Sequence, residues 1–166
     1  IKKEARRAGL RIIGPNCLGI ISCKSRLNAS FAGNTPLPGK TAFLSQSGAI
    51  CTAILDWAEV LGIGFSALIS LGSMADIEFG QVLDYLATDP KTNSILLYVE
   101  GIRDARRFMS GLRVAARFKP VIVVKAGRHE AGSKAAMSHT GSLVGADDVF
   151  EAALRRAGVV RAMTIE

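Results

Sequence analysis

The sequence predicts an α/β domain built on a doubly wound parallel sheet of the flavodoxin-like kind. Three observations carry this. Between Thr41 and Val160, strand-like and helix-like stretches alternate four times. The strand-like stretches are short and almost wholly apolar, as expected where helices cover both faces of a sheet. The polar, small-residue stretches follow the strands, at the end where open α/β sheets bind ligands.

Lys2 to Gly9 reads as the tail of a helix stopped by Gly9. Leu10 to Ile13 reads as a strand running into the turn Gly14-Pro15-Asn16, and Gly19 to Ser22 is a second short apolar run. Residues 24–40 read as loop, punctuated by Gly33, Asn34, Pro36, Pro38 and Gly39. Residues 1–40 are therefore set apart from the main domain, residues 41–166, with 24–40 as the connector into it. Thr41 to Leu44 is a strand. Gly48 to Leu61 is a helix with Ile50, Ile54, Leu55, Ala58 and Leu61 on one side, ended by Gly62. Phe65 to Leu71 is the next strand. Ile77 to Ala87 is a helix with Phe79, Val82, Leu83 and Leu86 inward, stopped by Asp89-Pro90. Ser94 to Val99 and Val121 to Val124 are buried strands. The helix between them starts at Asp104, ends at Phe118, and offers Phe108, Leu112, Val114 and Ala115 to the core. After a long polar loop, Asp147 caps a last helix that Gly158 ends, and Val159-Val160 opens one more strand.

Composition narrows the function classes. With 166 residues, of which 49% are hydrophobic, the chain can bury a core without staples. Three cysteines in no metal or disulfide pattern point to a reducing, cytoplasmic setting. No apolar run is long enough to span a bilayer, so no membrane partner is expected. The chain opens on Ile1-Lys2 and is expected to be a segment of a longer protein. Its 21 basic against 14 acidic residues favour anionic partners. Arg103, Arg106, Arg107, Arg113 and Arg117 are scattered along a helical stretch without interleaved aromatics, which argues against nucleic acid. A phosphorylated ligand, or simply solvated helix faces, accounts for the charge.

The loops after Leu44, Leu71, Val99 and Val124 should share one rim. Ser45-Gln46-Ser47-Gly48-Ala49 leads from a strand directly into a helix, where small residues let backbone amides approach a phosphate. An ordinary serine cap would look the same. Glu100 ends a buried strand, either as a solvated loop acid, as a cap for the helix at Asp104, or as a carboxylate aimed at a reacting group. The stretch from Gly127 to Gly145 is long, polar and small, and such loops are usually functional or disordered. Within it His139 could accept a phosphoryl group through one ring nitrogen while Glu100 orients the other. A plain surface histidine is the alternative, and His129, beside Glu130, reads that way. Cys17 reads as a small packed side chain and Trp57 as helix packing.

Gly14-Pro15-Asn16-Cys17-Leu18-Gly19, Ser45-Gln46-Ser47-Gly48-Ala49, Glu100-Gly101 and Ser138-His139-Thr140-Gly141 occur in that order. Together they resemble the nucleoside-diphosphate-forming acyl-CoA synthetases, relatives of the succinyl-CoA synthetase alpha subunit, over nearly the whole chain. The resemblance implies a succinyl-CoA synthetase-like flavodoxin domain. It makes His139 the transiently phosphorylated histidine and Glu100 its supporting carboxylate. Ser47, Gly48 and Ala49 become the phosphate-holding helix start, and Asn16 lies where the CoA thiol approaches. It further implies an acid–thiol ligase using coenzyme A, phosphate and ATP or ADP with Mg2+. Residues 1–40 would close a CoA-binding Rossmann-like domain. An ATP-grasp domain or subunit would bind the nucleotide, the substrate would be a small carboxylic acid, and the full protein would be an oligomer. Two alternatives stay open: a ligase-like regulatory part fused to a protein acetyltransferase, and a non-enzymatic flavodoxin-like binding module.

Overall fold

A computed structural model describes residues 1–127 and 147–165. Strands β1 (Gly19–Ser22), β2 (Leu27–Ser30), β3 (Pro38–Ser45), β4 (Phe65–Ser70), β5 (Ser94–Val99), β6 (Val121–Lys125) and β7 (Val160–Ala162) form one sheet, in the order β2-β1-β4-β3-β5-β6-β7. From β4 to β7 every pairing is parallel, and β1 and β2 add an antiparallel hairpin at the β4 edge. The parallel part follows the doubly wound flavodoxin-like order, which the alternation of strand and helix predicts.

Strand alternation sends successive side chains to opposite faces. Ala42 and Leu44 of β3, Ile95, Leu97 and Val99 of β5, and Val121 and Val123 of β6 face one core. Helices α3 (Phe79–Thr88), α4 (Ala105–Phe118) and α5 (Asp147–Ala157) cover it. Phe43 and Leu68 face the other core, beneath α2 (Gly48–Leu61). Each fully buried leucine contributes roughly 1.5–3 kcal/mol. Helices α3 and α4 touch backbone to backbone at Gly80 and Gly111: a Cβ on Gly111 would stand 2.6 Å from the Gly80 carbonyl oxygen. Phe79 meets Phe108 edge to face at 5.9 Å, which closes the same seam.

Helix α2 has the bounds its periodicity predicts, with Gly62 left-handed at φ +66°. Its inward face differs from expectation: Cys51, Leu55 and Ala58 are buried, whereas Leu61 is exposed in the last turn. Val114 likewise lies on the outer side of α4. Two further expectations are corrected. Residues 10–13 form no strand, because their backbone bonds to the loop after β4: Asp76 accepts from Ile12 N–H at 3.1 Å, and Ile77 N–H donates to Ile12 O at 3.1 Å. Residues 24–40 hold β2 and the start of β3. The exposed edge strand Leu27-Asn28-Ala29-Ser30 has no inward apolar face to announce it. The short helix α1 (Lys2–Arg7) ends as expected, with Gly9 at φ +67° and Leu10 N–H donating to Ala5 O at 2.8 Å. No helix among the described residues is long and apolar enough to cross a membrane.

Candidate active site

The parallel strands end in register. Ser45 stands opposite Ser70 and Tyr98, and Val99 opposite Lys125. Their carboxyl ends form the single rim that the sequence predicts. The strand order reverses between β3 and β5, so the crevice of such a sheet opens there.

The β3 end is stiff. Ser45 Oγ accepts from Ser47 N–H at 3.0 Å and donates to Ser47 O at 2.9 Å, closing a tight turn. Ser47 then caps α2, its Oγ accepting from Ile50 N–H at 3.3 Å. The first turn of α2 holds no acidic residue. The positive end of the helix dipole is thus not neutralised from within the helix, which suits an anion at Gly48 and Ala49.

Gln46 joins this turn to the β5 end. Its buried Oε1 accepts from Glu100 N–H at 2.7 Å and from Gly101 N–H at 3.0 Å. Gln46 N–H donates to Tyr98 O at 3.3 Å, extending the β3–β5 ladder by one step. Glu100 is itself buried. Burial pushes the Tyr98 phenol above its usual range, and the nearby Glu100 charge adds to the shift. Gln46 lies within the Ser45–Ala49 motif, but nothing in the motif itself assigns it this role. The available signal was a long amide among small residues at the end of a buried strand.

The turn bearing Asn16 packs against the same rim. Leu18 N–H donates to Ser70 Oγ at 2.9 Å. Pro15 O accepts from Ser73 N–H at 2.9 Å, and Gly14 O from Ala75 N–H at 2.8 Å. The Gly14–Pro15 peptide is cis, and Asn16 sits at φ +52°. Gly72 is required here: at φ +53°, a Cβ on it would stand 2.3 Å from the carbonyl oxygens of both Pro15 and Asn16. Asp76 braces the turn from below, accepting from Arg11 Nε at 2.7 Å as well as from Ile12 N–H. The bond from Arg11 and the backbone amide hold the Asp76 carboxyl below the usual carboxylate range.

The structure therefore brings Asn16, the Ser47-Gly48-Ala49 helix start and Glu100 onto one rim. His139 lies outside the described residues. Cys17 is half-buried in its turn, and Trp57 is partly exposed on α2. Among the described residues no group of three or more His, Cys, Asp or Glu side chains could hold a metal ion.

Comparisons with known proteins agree with this geometry. The chain is 47% identical to acetate–CoA ligase [ADP-forming] I of Archaeoglobus fulgidus, covering 98% of the chain and 24% of that protein. It is also 47% identical to the alpha subunit of acetate–CoA ligase [ADP-forming] I of Pyrococcus furiosus, covering 98% of the chain and 35% of the subunit. Thus it spans only about a quarter to a third of these relatives. A solved structure of Ca. Korarchaeum cryptofilum dinucleotide forming acetyl-coenzyme A synthetase 1, in complex with phosphate and ADP, superposes with a TM-score of 0.92 at 39% identity. That match covers 98% of this chain and 36% of the other. Residues 38–166 match the family described as succinyl-CoA ligase like flavodoxin domain. The match takes in β3 to β7 and both sides of the β3–β5 crevice, so the chain belongs to the succinyl-CoA ligase like flavodoxin domains.

Proposed function

We propose that this chain is the phosphohistidine-bearing part of an ADP-forming acyl-CoA synthetase. The observation that carries the reading is the β3–β5 crevice, where an acid-free helix start and the buried Glu100 are tied together through Gln46. The relatives named above, ADP-forming acetate–CoA ligases, support it.

In this reading phosphate rests on the amides at Ser47, Gly48 and Ala49. A phosphate oxygen attacks the thioester carbonyl of acyl-CoA. The carbon–oxygen bond of the acyl phosphate forms, the carbon–sulfur bond breaks, and CoA leaves as a thiolate that takes up a proton. The thiol side lies toward Asn16. A ring nitrogen of His139 then attacks the phosphorus and releases the carboxylate, while Glu100 orients the ring and stabilises its positive charge. ADP removes the phosphoryl group from the histidine to give ATP. Residues 1–40 complete a preceding CoA-binding Rossmann-like domain and its connector. Nucleotide and Mg2+ belong to an ATP-grasp domain or subunit, and the substrate is a small carboxylic acid.

The test uses the full-length protein with its nucleotide-binding part, [γ-32P]ATP and Mg2+. Acid-labile label is expected on the wild type and absent from His139→Ala. Label that persists in His139→Ala overturns the assignment.

A further inference from the structure

Among the described residues, Lys125, Asp147, Glu151 and Arg161 meet where β6, β7 and α5 come together, away from the β3–β5 crevice. Lys125 Nζ donates to Asp147 Oδ1 at 3.2 Å, and Arg161 Nη2 donates to the same oxygen at 2.6 Å. Arg161 Nη1 donates to Glu151 Oε2 at 2.9 Å. The two cationic side chains are 5% and 4% exposed. Phe150 lies beneath both, its ring centre 5.4 Å from Lys125 Nζ and 5.9 Å from the Arg161 guanidinium carbon. Among the described residues, the buried Arg161 Nε has no hydrogen-bond partner.

Such a cluster is a poor way to gain stability. Removing each ion from water costs several kcal/mol, and well-packed apolar side chains of similar volume do as well or better. What apolar packing does not supply is a directional bond between two chosen residues. Lys125 is the last residue of β6 and Asp147 the first of α5. They are the two ends of the connection that carries His139. Asp147 Oδ1 receives both cations, and Arg161, from β7, ties α5 to the sheet.

We infer that Lys125, Asp147 and Arg161 are positioning residues: they fix the end of β6 and the start of α5, the two residues on either side of the segment 126–146, against each other, and phosphoryl transfer to His139 depends on that junction. This rests on His139 being the phosphoryl carrier. A misplacement of about 1 Å at a reacting group can cost on the order of 100-fold in rate.

The experiment compares two half-reactions of the full-length protein. One is the formation of acetyl phosphate from acetyl-CoA and 32P-phosphate without ADP, which precedes the histidine. The other is the transfer of label from acetyl [32P]phosphate to His139. The variant is Lys125→Met/Asp147→Asn, which removes one charge of each sign and leaves Arg161 paired with Glu151. The first rate is expected to stay within about twofold, and the second to fall at least about tenfold. Lys125→Arg, which keeps the cation, should recover most of the second rate. If both rates fall together, or neither falls, the inference is overturned. Failure of the underlying reading is distinguishable: His139→Ala then keeps its label. If His139→Ala loses label while the double variant is labelled at the wild-type rate, only the junction's role is wrong.

Discussion

The two ends of the rim are held by opposite means. Between β3 and β5 the joints are neutral: a serine hydroxyl, a glutamine amide and backbone N–H groups. Between β6, β7 and α5 the joints are charges, two cations on two carboxylates. The difference follows from what each end must tolerate. A carboxylate in the place of Gln46 would hold the same two amides but would repel an anion arriving at the α2 start. A neutral amide gives the geometry and leaves the helix dipole to the ligand. At the β6 end the requirement is a fixed junction, and charge supplies a directional and costly one.

The largest effect should come from breaking the charged end. Arg161→Ala leaves Asp147 and Glu151 without their shared cation, and removal of one partner from a buried pair costs about 3–5 kcal/mol. Both carboxylates are a third exposed, so the loss should lie at the lower end. Urea unfolding measures it, and a loss under about 1 kcal/mol would mean that the cluster behaves as a surface pair.

Breaking the neutral end should cost less in stability and more in function. Gln46→Ala strands two amide donors at Glu100 and Gly101, and an unsatisfied buried donor costs about 1–3 kcal/mol. Gln46→Glu keeps both acceptors, so most of that stability should remain. In the full-length protein, however, it should raise the KM for phosphate more than it lowers kcat. Equal behaviour of the two variants in phosphate kinetics would deny Gln46 its electrostatic role.

These contrasts also explain what could be read from the sequence. The strands β3 to β6 are legible because burial makes them runs of apolar residues, and their helices carry periodicity and glycine stops. The edge strand β2 is not, because exposed strands of this kind lack an apolar pattern. Residues 10–13 look like a strand by composition. Their hydrogen bonds go instead to Asp76 and the loop after β4, a partner more than sixty residues away that no local pattern reveals. At the site, Ser47, Gly48, Ala49, Glu100 and Asn16 fall on one rim because topology follows from strand order. Gln46 and the charged junction escaped notice because their roles lie in hydrogen bonds between separate loops. A lysine closing an apolar strand, as Lys125 does, is the only local hint of the second.

Acid should separate the two ends further, with a smaller effect. The bond from Arg161 holds the Asp147 carboxyl below its usual range, with Lys125 adding to it. A depressed folded pKa means that the stability it contributes is complete above the ordinary carboxylate value, about 4, and is lost as pH falls through the folded value. Asp147→Asn should therefore flatten part of the acid limb of the stability profile, whereas Gln46→Ala should leave its shape unchanged. An acid limb identical in Asp147→Asn and wild type would remove Asp147 from the list of linked groups.

The smallest effect is a reporter. Cys51 lies fully buried in α2, and burial pushes its thiol up to about 11 against the weaker opposing bonds from Ser45 and Ser70. Only the thiolate attacks disulfide reagents, so at pH 8 the native Cys51 should be silent while the half-exposed Cys17 reacts. Because Cys51 contacts the end of β3, its reactivity measures how tightly that end is held. Gln46→Ala should raise the Cys51 labelling rate well below the unfolding transition, and Arg161→Ala should not. If both variants raise it equally, the two ends of the rim open as one cooperative unit, and the division between a neutral joint and a charged one carries no dynamic meaning.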